Sequence, residues 1–317
     1  MKAIDARPKP GKNSKRQSGL SNSDVVQKYR YQLWEGRNKF LCGGRLMMGV
    51  HSNHLSVSLL LVFFTWVFYI GLIAPLLGRK IYYIIGIIFL FLDILFLLIT
   101  AFTEPGIIPR RPPSQLLESM SEDMRDKVQY CHTCRIVRPA RAKHCRYCDN
   151  CVEVFDHHCP WTGTCIGVRN YKYFFTFVTV TVLGSIYVFA STILVIIGWA
   201  RGEHTNQIYI RDIATPILCA WSLLVIMLVG SLLLFHIFLI SRAQTTNEFL
   251  RGGKLQKENS SNDMYCTNLC KIYCSSVPET KLLPMWQTPS AEDHMHDVNA
   301  VVHAISSLRS AIEGSTL

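Results

Sequence analysis

Residues 131–165 read CHTCRIVRPARAKHCRYCDNCVEVFDHHCPWTGTC, which places seven cysteines and four histidines in one short stretch. Tetrahedral zinc takes four N/S ligands, and C-x2-C pairs are the usual means of supplying two of them. Two ions need eight ligands, and Cys131, Cys134, Cys145, Cys148, Cys151, Cys165, His144 and His158 make eight. Cys159 is left over, with His157 two positions before it and Asp156 three before it. His144 and Cys145 are adjacent, and adjacent side chains of an extended segment diverge, so the two are expected to serve different ions. The same alternation sets His157 and Cys159 on one face and turns His158 to the other, toward metal. The spacing is consistent with two interleaved Cys3His sites, but spacing alone leaves the pairing of ligands open. His132 reads as an ordinary loop histidine.

Outward from this stretch the chain becomes strongly apolar. Of its 317 residues 49 % are hydrophobic, and they are concentrated in four runs. These run roughly over Leu55–Leu77, Ile81–Phe102, Phe174–Ala200 and Ala214–Ile240, each near the ~20 apolar residues a transmembrane helix needs. The net charge of +11 could suggest nucleic acid, but its distribution points elsewhere. Segments 1–54, 103–173 and 241–317 hold 29 Lys and Arg, whereas the two short connections between spans hold 4. By the positive-inside rule the termini and the cysteine-rich loop face the cytosol, and anionic lipid accounts for the basic excess. A zinc-dependent nucleic-acid binder is thereby excluded. Cytosolic cysteines are kept reduced, so these are expected to be metal-bound or reactive rather than disulfide-bonded. The polar N-terminus lacks the apolar core of a signal peptide and is expected to stay on the chain.

The chain therefore divides into five segments. Residues 1–54 form a basic cytosolic segment whose first part reads as disordered. Residues 55–102 hold the first two spans, and 103–173 the cysteine-rich zinc domain, entered through a short polar helix around Leu116–Lys127. Residues 174–240 hold the last two spans, and 241–317 a cytosolic tail. In that tail Val298, Val301, Val302, Ile305, Leu308 and Ile312 recur at helical spacing, which predicts an amphipathic helix. No internal repeat stands out beyond the C-x2-C pairs. The expected fold class is an all-α polytopic membrane protein with four transmembrane helices and a small double-zinc, β-hairpin-rich domain.

Each Cys3His set is closed, with no position for water, so the two Zn2+ ions are read as structural. The spare group reads differently. A thiol is nucleophilic as the thiolate, which an imidazole partner and a basic surround favour. Residues 131–172 carry seven Lys and Arg against three acids, and Asp156 is placed to orient His157 as the third member of a triad does. A nucleophile between two pairs of spans, with a basic rim, suits a substrate with an anionic head and an apolar tail. Fatty acyl-CoA has both, and its thioester suits a thiolate. The alternative is a catalytically silent zinc scaffold or adaptor, which has no need of the Asp-His-x-Cys group.

The segment from Cys131-x2-Cys134 through DHHCPW to RNYKYFF resembles the cysteine-rich domain of DHHC-type protein S-acyltransferases (palmitoyltransferases), over roughly residues 29–285. Thr103-Glu-Pro-Gly resembles the family's Asp-Pro-Gly element, Thr245-Thr-Asn-Glu its Thr-Thr-x-Glu element, and Asn268 and Tyr273 its C-terminal Asn…aromatic motif. The resemblance implies four spans, an acyl-Cys159 intermediate, and His157 with Asp156 as base and orienter. It also implies one zinc on Cys131, Cys134, His144 and Cys151, and the other on Cys145, Cys148, His158 and Cys165. The co-substrate would be acyl-CoA (palmitoyl-CoA) and the acceptors cytosolic cysteines of membrane-associated proteins. The membrane would be Golgi, endoplasmic reticulum or plasma membrane. WEGRNKFLCGGRLMM and QTTNE further resemble the Ras-acyltransferase subfamily, whose members work with a small accessory subunit. Three positions depart from the pattern: Glu104 replaces Asp, and Thr162 and Thr164 stand where the family has Val or Ile and Asn or Gln. Glu104 should still reach a backbone or Arg partner, whereas Thr164 would lose an amide beside the catalytic hairpin.

Several outlying residues carry expectations of their own. Cys266, Cys270 and Cys274 would share one helix face and, like Cys42, be acylated or small packing residues. Asp93, costly inside a span, is expected to bond polar groups of a neighbouring helix or to be protonated. His236 is expected to form a helix–helix hydrogen bond rather than to bind metal. Asn259-Ser-Ser fits a glycosylation sequon but falls on the cytosolic side.

Overall fold

The computed structural model describes residues 28–110, 129–202, 210–252 and 264–289. Among these residues, four helices are long and apolar enough to cross a membrane: Ser52–Leu77, Lys80–Phe102, Tyr171–Ala200 and Asp212–Ser241. Each begins slightly before the expected apolar run, because a polar first turn such as Ser52-Asn53-His54 joins the helix. The first, α1 (Ser52–Phe68), continues through a π-helical turn at Tyr69–Ile73 and a 3-10 turn at Ala74–Leu77. The others are α2 (Lys80–Phe102), α3 (Tyr171–Ala200) and α4 (Thr215–Ser241). Leu60, Phe64, Phe91, Met227 and Leu234 lie exposed on their outer faces. Hydrocarbon solvates such side chains as readily as a protein interior does.

Between the helices the contacts are aromatic and, locally, polar. Trp66 of α1 stacks on Phe89 of α2, centroids 5.5 Å apart. Asp93 accepts hydrogen bonds from Trp66 Nε1 (2.8 Å) and from Thr181 Oγ1 (2.9 Å). The buried carboxylate therefore joins α1, α2 and α3, as its place inside a span requires.

The cysteine-rich segment sits at the end where α2 stops and α3 starts. Its short strands are β3 (Ile107–Ile108), β4 (Tyr130–Cys131), β5 (Ile136–Val137), β6 (Lys143–Cys145), β7 (Asn150–Val152), β8 (His157–Cys159) and β9 (Thr164–Ile166). They form the antiparallel hairpins β4–β5, β6–β7 and β8–β9, with β3 added beside β7. A further hairpin precedes α1, from β1 (Lys39–Leu41) and β2 (Leu46–Met48). Asn170 locks the unit to the membrane helices: its Nδ2 donates to Cys165 O (2.9 Å) and Thr100 O (3.2 Å), and its Oδ1 accepts from Gly167 N (2.9 Å). After α4 come the short α5 (Thr246–Leu250) and α6 (Met264–Cys274).

The three hairpins are copies of one unit, contrary to the expectation that only the C-x2-C pairs repeat. The cross-strand pair Cys131↔Ile136 recurs 14 residues on as Cys145↔Asn150 and again as Cys159↔Thr164. Likewise Tyr130↔Val137 recurs as His144↔Cys151 and His158↔Cys165. The turn of each ends in the left-handed region, at Arg135 (φ 55), Asp149 (φ 55) and Gly163 (φ 74). In the third copy only glycine fits, because a Cβ on Gly163 would stand 2.8 Å from His51 O.

The helix expected around Leu116–Lys127, the disorder expected of the first residues, the sequon at Asn259 and the amphipathic helix expected over Val298–Ile312 fall outside the described residues.

Candidate active site and metal centres

The hairpin copies explain how two Cys3His sets interleave. The ligand atoms of Cys131, Cys134, His144 and Cys151 lie within 4.8 Å of one another, as do those of Cys145, Cys148, His158 and Cys165. One hairpin's turn supplies two cysteines, and the next hairpin's cross-strand pair supplies a histidine and the last cysteine. Alternation sends His144 to the first set and Cys145 to the second, as expected from extended backbone.

The distances test whether zinc fits. Bonds of about 2.3 Å to sulfur and about 2.0 Å to nitrogen at tetrahedral angles put S and N about 3.5 Å apart. His144 Nδ1 lies 3.7, 3.4 and 3.8 Å from the sulfurs of Cys131, Cys134 and Cys151. His158 Nδ1 lies 3.8, 3.4 and 3.6 Å from those of Cys145, Cys148 and Cys165. Both sets match a tetrahedral ion.

The histidine of each set is braced through its other nitrogen. His144 Nε2 faces Asp149 Oδ1 at 3.4 Å, and His158 Nε2 lies 2.8 Å from His51 Nδ1. With Nδ1 on metal, His158 Nε2–H donates and His51 accepts. Such partners orient the ring, and their loss typically costs 10- to 100-fold in metal affinity. His51→Phe is expected to weaken zinc retention at the second set by about that factor in a chelator competition, leaving the first set unchanged.

Cys159 belongs to neither set. It ends β8 and is 6 % exposed, packed with Ile166 and with Phe174 and Val178 from the start of α3. His157, on the same face of β8, packs against the same Phe174 as Cys159 (ring centroids 5.3 Å apart), and its Nδ1 meets Asp156 Oδ2 at 2.6 Å. Asp156 is itself buried. Its Oδ1 accepts from Thr246 N (2.8 Å), and its Oδ2 from Thr246 Oγ1 (2.8 Å). Burial opposes the charge on all three groups, and their mutual contacts overcome it. The Asp156 carboxyl stays below its ordinary pKa because His157 bonds it, and the Cys159 thiol is lowered by the same imidazole. His157 is raised to about 9 by Asp156 and Cys159. The group thus favours a thiolate–imidazolium pair.

The TTNE segment holds this group from behind. Thr245 caps α5, accepting from Glu248 N (3.2 Å) while Glu248 Oε2 accepts from Thr245 N (2.8 Å), a capping box. Arg141 reaches across to Glu248 in a two-pronged ion pair, Nε to Oε1 at 2.6 Å and a second bond of 2.9 Å to Oε2. Glu104, the longer carboxylate in place of Asp, bonds the amides of Gly106 and Ile107 and pairs with Arg169, as expected of it. Thr164 is buried as the cross-strand partner of Cys159. Asn268 Nδ2 donates to Ile240 O (2.9 Å), and the hydroxyls of Tyr273 and Thr176 lie 2.9 Å apart.

Three contributors were not singled out for this role from sequence: His51, Thr246 and His236. His236 does bond across helices, with Nδ1 3.1 Å from Tyr171 OH, as expected. It also packs against His157, rings 6.0 Å apart, so that Asp156, His157 and His236 converge within 4.8 Å. The 2.6 Å contact between Asp156 and His157 is a hydrogen bond with no room for an ion between. His132 lies edge-on to Tyr130, apart from both Cys3His sets. Cys270 and Cys274 share an exposed helix face, sulfurs 3.0 Å apart, and Cys42 is exposed in the β1–β2 turn. The Cys266 side chain lies outside the described residues.

Four spans capped by two zinc-fitting clusters, with a buried thiol and an Asp–His pair where the helices end, define a membrane-embedded thiol protein. The DHHC palmitoyltransferase family model matches residues 124–253. The chain is 32 % identical to palmitoyltransferase ZDHHC18 of Mus musculus, covering 78 % of this chain and 74 % of that protein. It is 34 % identical to palmitoyltransferase ZDHHC9 of Bos taurus (81 % and 80 %) and 33 % identical to the probable protein S-acyltransferase 2 of Arabidopsis thaliana (82 % and 71 %). The chain belongs to the DHHC palmitoyltransferase family, and a silent scaffold is the weaker reading of its activity.

Proposed function

We propose that this S-acyltransferase takes a long acyl group from fatty acyl-CoA onto Cys159 and passes it to cysteines of membrane-associated proteins. The supporting observation is the position of Cys159, which follows His157 on the same face of β8 and is buried in an apolar cluster with Phe174 and Val178 of α3, against which Val229 and Leu233 of α4 pack. Phe174, Val178, Val229 and Leu233 form one apolar cluster with Cys159, a path for an acyl chain on that sulfur.

In the first step the Cys159 sulfur attacks the thioester carbonyl. A carbon–sulfur bond to Cys159 forms as the bond to CoA breaks, and CoA leaves with the proton held on His157. In the second, His157 takes the proton of an acceptor cysteine, whose sulfur attacks acyl-Cys159 and regenerates the thiolate. Asp156 holds His157 in the tautomer that presents Nε2 to sulfur. Zinc on the eight Cys and His ligands supplies folding energy to the hairpins, and no chemical step passes through it. A cavity of about 400 Å³ with Arg141, Lys172 and Lys271 in its wall offers positive charge for a phosphorylated carrier. It includes Asp156 but not Cys159, so the acyl chain would lie elsewhere, among the spans.

The charge asymmetry of the connections supports a cytosolic site and cytosolic termini in an endomembrane or plasma membrane. Resemblance to the Ras-acyltransferase subfamily supports a small accessory subunit. His157→Ala is expected to slow acylation of Cys159 by about 10²–10⁴-fold in single-turnover labelling, at unchanged zinc content. The two-step scheme itself is tested by initial rates with acyl-CoA and an acceptor peptide both varied. Parallel double-reciprocal lines are expected, whereas intersecting lines would show direct transfer without an acyl-enzyme.

A further inference from the structure

The 14-residue repeat has a third member, and Cys159 is part of it. In the first two copies the turn carries C-x2-C: Cys131 with Cys134, and Cys145 with Cys148. In the third the corresponding pair is Cys159 and Thr162, followed by Gly163 at the same left-handed position as Arg135 and Asp149. The resemblance extends to the sulfur. The backbone amide three residues on favours the thiolate in each copy, that of Cys134 at Cys131, that of Cys148 at Cys145 and that of Thr162 at Cys159. Each set is completed by a cross-strand pair one hairpin further on, His144 with Cys151 and then His158 with Cys165. The next pair in that series would be Lys172 and Thr179, which carry no thiolate or imidazole and lie on α3 rather than on a fourth hairpin. Phe174 and Val178 of that helix fill the place beside Cys159.

The geometry points to Cys159 as the first thiol of an unclosed third zinc turn, with Thr162 a positioning residue. The Thr162 amide holds the Cys159 sulfur as the equivalent amides hold a ligating sulfur, and the missing second thiol keeps that sulfur free for an acyl group. The array of hairpins ends where the membrane helix begins. The open side of the turn therefore faces apolar side chains instead of ligands. Thr162, where the family has Val or Ile, retains what the turn needs from this position: a backbone N–H and no metal-binding side chain.

The consequence for activity rests on the proposed role of Cys159, and the test separates the two. Thr162→Cys restores C-x2-C, with His157 available as a third ligand. The full-length variant is expected to bind one Co2+ beyond its two zinc ions, with a thiolate–cobalt charge-transfer band, and to lose the band when Cys159 is also changed to Ser. Acyl labelling of Thr162→Cys is expected to fall at least about tenfold on adding Co2+ and to recover with a chelator, a response absent from the parent chain at the same free metal. Two native zinc ions per chain confirm that the variant is folded. A folded variant that takes up no further ion overturns the third-turn assignment. Uptake of the ion without loss of labelling leaves that assignment standing and overturns Cys159 as the acyl carrier. In the unmodified turn, the Thr162 amide is expected to exchange with solvent more slowly than in Cys159→Ala, and equal exchange overturns the amide–sulfur contact.

Discussion

Cys159→Ser is expected to lower acyl labelling from an acyl-CoA analogue by about a thousandfold or more, with both zinc ions retained. The substitution removes the only sulfur of the cluster that neither Cys3His set uses. Serine fits the same space beside His157 and Phe174, so the hairpin keeps its register and the bonds of Asp156 to His157 and to Thr246 stay in place. The hydroxyl is the weaker nucleophile because its proton is far harder to remove, and one imidazole does not make up that difference. Zinc content measured on the same sample separates lost chemistry from lost folding.

His144→Ala is expected to do the opposite, ending both metal binding and activity. A structural zinc contributes on the order of 10–16 kcal/mol to the folding of a small metal-built unit. Each ligand set draws on two hairpins, which enlarges the expected damage. His144 and Cys151 close the first set from the strands whose turn supplies Cys145 and Cys148 to the second. Loss of the first ion therefore loosens the β6–β7 turn, and total zinc is expected to fall by more than one ion per chain. Metal analysis together with proteolysis of the 129–170 region checks this. A fully active variant retaining one ion would show that the two sets fold independently.

Much of this site is legible in the sequence because its determinants are local. The ligand count, the surplus thiol and the divergence of His157 from His158 follow from residues within one 35-residue stretch and from strand alternation. The four helices follow from apolar runs with few charges, and Asp93 from its cost within one. The pairing of ligands is less legible, since several pairings satisfy the same spacing. The 14-residue spacing of Cys131, Cys145 and Cys159, and of His144 and His158, stands in the sequence, but the register of the hairpins is what shows it to be a structural repeat. Contributions from distant segments were missed for a related reason. Thr246 lies 90 residues beyond Asp156, and its bond forms only because α3 and α4 return the chain to the same membrane face. His236 reads as one polar residue in an apolar helix, and its bond to Tyr171 satisfies that reading. Nothing local discloses that the same ring also meets His157. His51 precedes the first helix as an unremarkable polar residue until β8 places His158 against it.

The central claim is that Cys159, and no other cysteine of the chain, carries the acyl group between donor and acceptor. Purified protein mixed briefly with palmitoyl-CoA and digested without reduction should yield one hydroxylamine-sensitive acyl peptide containing Cys159. Adding an acceptor peptide should clear it at the rate at which product appears. Acylation first appearing at Cys270 or Cys274, or a Cys159 adduct that persists while product accumulates, would contradict the account.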